Sequence, residues 1–248
     1  LSLAEREDFL KPPSPASRED VYPWRFNRAF SYVRRPLISW QSGGAQELWW
    51  GNRHVWVSGR NLVALFESGR LKANSMEMKR LVGKYRERHG RTFNDQVAAS
   101  IEPNDYTLVR KRVKKIGGLR IGAPDEDLGD IDVLALSPKG NRVLLVECKA
   151  LNIARTPWEF ASELDTLFRG SGGKDSVVDR HRRRMTWIES HAAETSDLFG
   201  ISARRFHVDG VVVVDEESFA AHLLSKTDLP VVSLHRFESS WLPHWLSR

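Results

Sequence analysis

The strongest hydrophobic pattern in the chain is a pair of apolar segments separated by a short polar connection. The apolar segments are residues 131–136 and 143–146, and the connection at 137–141 contains the Pro, Gly and Asn residues typical of tight turns. The pattern predicts a β-hairpin. Nearly continuous runs of apolar residues predict two further buried strands, at 207–214 and 229–234.

Apolar residues at helical spacing predict helices on the N-terminal side of the hairpin. The first is expected to end at Gly69, and the second to run from Asn74 to Gly90. A third is expected to begin at Thr92, with Asp95 in the position that completes the cap. The alternative for Asp95 is a catalytic role, and the capping role is preferred.

Two further segments with their own patterns lie between the third predicted helix and the hairpin. The basic segment 108–116 alternates as a strand does and ends at Gly117-Gly118, whereas residues 125–127 form an acidic loop that we expect to be solvated. After the hairpin, residues 156–159 (Thr-Pro-Trp-Glu) have the signature of a helix start. A further helix near 178–188 is expected to direct its arginine group largely outward.

Strands alternating with helices predict an α/β fold, namely a mixed β-sheet flanked by helices over residues 91–237. A smaller aromatic-rich β+α region is expected at 21–90, after a flexible, proline-containing lead-in at 1–20. The apolar C-terminal tail at 238–248 is expected either to dock on the body of the protein or to contact a partner.

The region 21–60 contains five of the nine tryptophans. Alternation predicts short strands at 48–50 and 54–57, with turns at 42–44 and at 51–52. Packing is the preferred interpretation of so many aromatic residues. Stacking on unpaired nucleic-acid bases is the alternative.

Composition limits the class of protein. A chain of 248 residues with 41% hydrophobic residues can bury a substantial core, and its single cysteine excludes an internal disulfide framework or a cysteine-based zinc site. No membrane partner is expected, since no apolar run approaches the roughly 20 residues of a membrane span. With no apolar signal segment at the start, we expect a cytoplasmic location. A first residue other than Met leaves open a longer protein with further domains.

The formal net charge of +6 is compatible with a nucleic-acid partner, and the positive charge is clustered. Two dense basic clusters occur, one before and one after the acidic loop. Their members are Arg110, Lys111, Arg112, Lys114 and Lys115, and Arg180, Arg182, Arg183 and Arg184. A solvated face is one interpretation of each cluster. Contact with DNA phosphates is favoured because the candidate site lies between them.

The candidate site is the end of the predicted hairpin. If its strands pair about the turn, Asp132 reaches the level of Glu147, and Lys149 projects to the same side as Glu147. Two carboxylates suit Mg²⁺, and a lysine can orient an attacking water or neutralise charge on a phosphate. The alternative is a polar strand end without a function. A functional site is favoured because charges placed beside so apolar a hairpin are costly to bury.

Gly-Asp-Ile-Asp132 followed by a strand ending Glu147-Cys148-Lys149 resembles the signature of the PD-(D/E)XK nuclease superfamily, which has the restriction-endonuclease-like fold. Within it the pattern is similar to the branch of Holliday junction resolvases and Mrr-like enzymes. The resemblance implies that Asp132, Glu147 and the main-chain carbonyl of Cys148 bind Mg²⁺ or Mn²⁺, and that Lys149 is catalytic. Where this branch often has a first-helix glutamate, the chain has Asn94.

We therefore expect a Mg²⁺-dependent endodeoxyribonuclease, in which Asp132 and Glu147 bind the metal and Lys149 assists the water. The alternative is an inactive nuclease-fold module that binds DNA or a protein. DNA is the expected partner, a homodimer or a protein partner is a further possibility, and the resemblance fits defence or repair equally.

Overall fold

The computed structural model describes Glu7, Tyr22 and most of the chain from residue 31 onward. The described ranges after Tyr22 are 31–102, 108–123, 126–137, 142–151, 154, 156–201, 205–223 and 228–247. The predicted lead-in, apart from Glu7, and the turn at 138–141 lie outside the described residues. The chain divides into two compact units, Leu1–His89 with Thr156–Trp158, and Gly90–Arg155 with Glu159–Arg248.

The first unit contains a two-stranded hairpin followed directly by a helix. Strands β1 (Ile38–Ser42) and β2 (Ala45–Trp49) pair antiparallel around Gly43-Gly44, whose φ angles of 58° and 86° favour glycine. Helix α1 spans Asn52–Glu67. The strand predicted at 54–57 is therefore wrong, because its four alternating residues form part of the first turns of a long helix. So short a pattern fits both structures.

Helix α1 ends as its sequence predicts. The amides of Gly69 and Arg70 donate to the carbonyls of Phe66 and Leu65 at 2.9 and 2.7 Å, which is the bonding pattern of a Schellman motif. Gly69 has a φ of 67°, and an added Cβ there would lie 2.4 Å from the Arg86 Cα. Glycine is thus required at this position by both backbone conformation and space.

Helix α2 runs without interruption over Met76–Ile101, so the predicted end at Gly90 and the predicted start at Thr92 are wrong. Unlike Gly69, Gly90 is not among the glycines with positive φ, and an interior glycine costs a helix only about 1 kcal/mol. The Ser75 hydroxyl caps the helix by accepting from the Met78 amide. The Glu7 carboxylate accepts from the Asn74 and Ser75 amides at 2.7 and 3.0 Å.

A five-stranded mixed sheet forms the centre of the second unit, with four two-residue strands beside it. In chain order the strands of this unit are β3 (Leu108–Val113), β4 (Lys115–Ile116), β5 (Leu119–Arg120), β6 (Gly122–Ala123), β7 (Glu126–Asp127), β8 (Ile131–Leu136), β9 (Arg142–Lys149), β10 (His207–Val214) and β11 (Val231–Ser233). The sheet order is β11-β10-β9-β8-β3. Strands β3, β8 and β9 are antiparallel, whereas β9, β10 and β11 are parallel.

Helices follow the sheet strands along the chain. They are α3 (Pro157–Leu164), which continues as a π-helical turn at Asp165–Arg169, α4 (Val177–Ser190), α5 (Ala192–Phe199), α6 (Phe219–Leu223), α7 (Leu234–Arg236), which continues as a π-helical turn at Phe237–Trp241, and α8 (Leu242–Ser247). The predicted helix start at 156–159 and the two predicted C-terminal strands are confirmed.

The sheet of the second unit is covered on both faces. On one face, Phe93, Val97 and Ile101 of α2 pack in the same core cluster as Val133 and Val146. On the other, α4 and α5 supply the side chains that pack against the hairpin, namely Trp187, Ile188 and Phe199, beside Leu134, Leu136, Val143 and Leu145. The prediction of a mixed α/β sheet flanked by helices is confirmed.

The C-terminal tail docks on the body of the second unit. Leu242 and Trp245 are 4% and 3% exposed within the first core cluster. The Trp245 indole donates to the Asp209 carboxylate at 3.0 Å, and Arg142 binds the same carboxylate with two bonds of 2.8 and 2.6 Å. An ion pair between β9 and β10 therefore anchors the last helix.

Among the described residues, no helix combines the length and the apolar character that crossing a membrane requires.

Candidate functional site

The hairpin β8–β9 brings Asp132 and Glu147 to the same level. Val133 pairs with Val146, which is the last pair of the ladder, and the next residue on each strand is Asp132 and Glu147. Beyond that pair, the Cys148 amide donates to the Asp132 Oδ2 at 2.8 Å and not to a main-chain carbonyl of β8. The Asp132 carboxylate therefore lies at the point where the two strands separate.

Asn94 is the second partner of this carboxylate. Its Nδ2 donates to the Asp132 Oδ1 at 2.8 Å from helix α2. Burial raises the pKa of Asp132, the nearby Glu147 carboxylate raises it further, and the donors from Cys148 and Asn94 offset only part of this increase. A raised pKa means that the ionised form of this carboxylate is destabilised, and a cation bound next to it would stabilise that form.

Glu147 is almost completely buried, with 6% of its side chain exposed, and two cations contact it. The Lys149 Nζ lies 2.7 Å from its Oε1, and the Arg184 guanidinium binds its Oε2. Burial alone would raise the pKa of Glu147, but Lys149 and Arg184 together outweigh burial and hold it below its ordinary value. Glu147 is therefore ionised at neutral pH.

Arg184 reaches this site from helix α4 and is itself 5% exposed at its side chain. Its Nε donates to the Leu128 carbonyl at 2.8 Å. The guanidinium passes close to Gly129, where an added Cβ would lie 3.3 Å from Nη2. The expectation that this helix points its arginines outward is wrong for Arg184, because the buried carboxylate of Glu147 requires a second cation.

His181 lies one turn before Arg184 on the same helix and is fully buried. Burial lowers its pKa to about 4, so the ring is neutral at pH 7. Its Nε2–H donates to the Leu145 carbonyl at 3.2 Å, and Nδ1 has no hydrogen-bond partner among the described residues. Sequence reasoning missed this residue. The available signal was its i, i+3 spacing from both Val178 and Arg184 on a buried helical face.

Cys148 points to the opposite face of the sheet, as the alternation predicts. Its side chain belongs to the core cluster that includes Phe93 and Val146. Burial raises the pKa of the Cys148 thiol well above its ordinary value, so the sulfur stays protonated. Any metal contact from this residue would have to come from its main chain.

The donor set fits a hard divalent cation such as Mg²⁺. The Glu147 carboxylate is close enough to raise the pKa of Asp132, and Mg²⁺ takes one or two carboxylates together with waters and substrate phosphates. No cluster of three His, Cys, Asp or Glu side chains suited to a metal occurs within the described ranges. Protein side chains would thus supply two ligands, and a carbonyl, water and substrate the remainder.

The first basic cluster lies on the edge strand β3 and next to it. Arg112 has a left-handed φ of 52°, at the register position opposite Asp132. It binds Asp95 at 3.0 Å, and Lys111 lies 3.8 Å from the same carboxylate. The capping role predicted for Asp95 is wrong, because Asp95 lies inside α2 and contacts this strand. Arg110 is exposed and makes no ion pair with another described residue.

Other members of the basic clusters also meet carboxylates. Lys114 lies 3.8 Å from Asp130, and Arg182 lies 3.1 Å from Asp179. Arg183 binds Glu126, which lies in strand β7 rather than in a solvated loop. Arg180 is half-buried and Lys115 exposed. Ion pairs within the protein therefore neutralise part of the positive charge of the two basic clusters, which the sequence analysis expected to contact DNA phosphates.

Comparison with known proteins identifies a family to which this chain is similar. A family model described as anti-phage protein Upx-like matches residues 1–216, and a search of curated proteins finds no match. Among solved structures, protein VC1899 from Vibrio cholerae is similar at 12% identity and a TM-score of 0.30; the match covers 79% of this chain and only 44% of that one. Since the family model spans most of its length, the chain belongs to the Upx-like family of anti-phage proteins.

Proposed function

We propose that this protein is a metal-dependent DNA endonuclease that acts in defence against phage. The observation that carries the proposal is the convergence of Asp132, Glu147 and Lys149 at the open end of one hairpin. Membership in an anti-phage family supports the defence role, and the resemblance to PD-(D/E)XK nucleases supports the chemistry.

Each residue has a distinct role in this proposal. Asp132 and Glu147 would hold Mg²⁺ together with the Cys148 carbonyl, and the bound ion would polarise the phosphate and its water. Lys149 has about a third of its side chain exposed while its ammonium contacts Glu147. It can therefore reach a substrate without leaving the site, where it would orient the attacking water or neutralise charge developing on the phosphate.

Arg184 is a positioning residue in this proposal. It fixes the Glu147 carboxylate from the buried side through a bond to Oε2, leaving Lys149 on the more exposed side. Its second bond, to the Leu128 carbonyl, fixes the guanidinium itself. Arg184 and Lys149 each bind one oxygen of the Glu147 carboxylate, and such contacts orient a side chain as a metal ligand requires.

A second candidate function is an inactive nuclease-fold module that binds DNA or a protein. One observation favours it: the cluster contains two carboxylates, Asp132 and Glu147, and two cations, Lys149 and Arg184, which both contact Glu147, so its formal charges sum to zero. Asn94, at the position of the first-helix carboxylate, adds no negative charge. Such a neutral cluster would be stable as a purely structural feature.

Cleavage of DNA by the purified chain distinguishes the two candidates. Supercoiled plasmid, linear duplex and single-stranded DNA are incubated with Mg²⁺, with Mn²⁺ or with chelator. The proposal expects metal-dependent nicking or cutting that Glu147→Ala abolishes and that the exposed β3 control Leu108→Ala retains. Intact DNA under every condition, from a protein that is folded by circular dichroism, would favour the binding module.

Phage challenge tests the defence role separately. Cells expressing the wild-type chain should reduce plaque formation relative to cells expressing Glu147→Ala at the same protein level. Equal protection by both proteins would reject nuclease activity as the cause of protection.

A further inference from the structure

The first unit exposes four tryptophan side chains in one short stretch. Trp40, Trp49, Trp50 and Trp56 are 62%, 60%, 59% and 61% exposed. Burying a tryptophan normally contributes more than burying any other side chain. Packing, which the sequence favoured, is thus wrong for these four residues, and their rings are accessible to a ligand.

Two of these rings share one face of the hairpin. In the register, Trp40 lies opposite Glu47, and Trp49 lies opposite Ile38. Alternate residues share a face, so Trp40 and Trp49 project to the same side with Ile38 between them. The Trp49 indole donates to the Glu47 carboxylate at 3.0 Å, which fixes the ring and occupies the acidic group on this face.

Helix α1 carries further exposed apolar side chains and follows the hairpin directly in the chain. Only Trp50 and Gly51 separate β2 from its first residue, and none of its residues is buried. The Arg60 guanidinium lies 4.8 Å from the centre of the Trp56 ring, one turn away. Val63 continues the same exposed stripe. An arginine held over an aromatic ring presents its donors beside an apolar platform.

The charge of the protein is concentrated in this unit. Residues 31–89 contain 11 Lys and Arg and 4 Asp and Glu, a net +7, whereas the whole chain carries +6. The remaining residues therefore sum to −1. The net positive charge of the first unit attracts a polyanion to the region that carries the exposed rings.

We propose that the exposed tryptophans of the first unit, Trp40, Trp49, Trp50 and Trp56, bind an unpaired nucleic-acid strand. Aromatic rings stack on exposed bases regardless of sequence, and surrounding cations follow the phosphates. A duplex hides its bases inside the stack and offers only its backbone to these rings. A protein partner would also cover the rings, but the net charge of +7 favours the polyanion.

Fluorescence anisotropy of the full chain with a labelled 20-nucleotide thymidine strand and with a 20-base-pair duplex tests the proposal. Chelator is present throughout, so binding is measured independently of the nuclease proposal. We expect tighter binding of the single strand. Trp40→Ala and Trp56→Ala should each weaken it by roughly 5- to 150-fold, Trp56→Phe should recover part of the affinity, and the exposed aromatic control Phe219→Ala should bind like wild type.

Three results would overturn the proposal. The first is equal affinity for strand and duplex, and the second is unchanged binding by both tryptophan variants. The third is a wild-type dimer in analytical ultracentrifugation that Trp40→Ala or Trp56→Ala dissociates, because a second copy would then cover the rings. None of these results bears on cleavage at Glu147, so the two proposals fail separately.

Discussion

Replacing Arg184 with alanine should destabilise the second unit far more than replacing an exposed arginine on the same helix. The side chains of Arg184 and Glu147 are 5% and 6% exposed. Removing one member of a buried pair leaves an uncompensated charge and costs about 3–5 kcal/mol. Lys149 still contacts Glu147 at 2.7 Å, which favours the lower end, and the lost bond to Leu128 adds about 1 kcal/mol.

Arg182→Ala is the matched control. Arg182 lies on the same helix and pairs with Asp179 at 3.1 Å, but both side chains are more than two-fifths exposed. An exposed pair contributes about 1 kcal/mol or less. Urea unfolding followed by circular dichroism, in chelator at pH 7, gives the free energy of unfolding of each variant. Equal losses for the two variants would refute the buried pairing of Arg184 with Glu147.

The pH dependence of this difference provides a second check. The pKa of Glu147 is lowered in the folded protein, so its pairing stabilises the fold above the ordinary glutamate pKa of about 4.3. The stabilisation is lost as the pH falls through the lowered value. The gap between wild type and Arg184→Ala should therefore be complete at pH 7 and narrow on acidification. A gap that widens in acid would contradict the direction of the shift.

Three further predictions follow from other contacts. Asp209→Asn should lower the free energy of unfolding by about 2–4 kcal/mol in urea titrations, because Arg142 would lose a two-bond partner that is only 15% exposed. Gly69→Ala should lower the melting temperature by an amount equivalent to more than about 1 kcal/mol, since its φ is 67° and the new Cβ would meet Arg86. Mg²⁺ at ten times its dissociation constant should stabilise wild type by about 1.4 kcal/mol in thermal unfolding, and Asp132→Asn should not respond.

The hairpin and the level of its two carboxylates were predictable from the sequence. Apolar runs that flank a turn fix the pairing, and a side-chain period of two then aligns Asp132 with Glu147. The structure agrees because Val133 pairs with Val146. Local patterns suffice here because both strands and their connection are adjacent in the chain.

Helix ends were less predictable. Gly69 and Gly90 both follow apolar residues at helical spacing, but only Gly69 adopts positive φ and ends its helix. Helix α2 continues because Phe93 and Val97 beyond Gly90 pack in the core of the second unit. Packing of this kind outweighs the small intrinsic cost of a glycine and is not visible in local sequence.

The partners of the site from distant segments could not be predicted. Arg184 is 37 residues from Glu147 in the chain, and its neighbours Arg182 and Arg183 suggest an exposed basic face. Which arginine turns inward depends on how α4 packs against the hairpin. Asn94 likewise reaches Asp132 across 38 residues. Only the tertiary structure specifies these contacts.

The nuclease proposal is tested by the rate of metal-dependent DNA cleavage by Lys149→Ala relative to wild type, measured at saturating protein. Arg184 still binds Glu147 when Lys149 is removed, so we expect the variant to fold, which circular dichroism checks. Saturating protein removes any effect of weaker DNA binding on the measured rate. Removing the lysine should lower the cleavage rate by about 10²–10⁴-fold. Cleavage by Lys149→Ala at the wild-type rate would contradict the nuclease proposal.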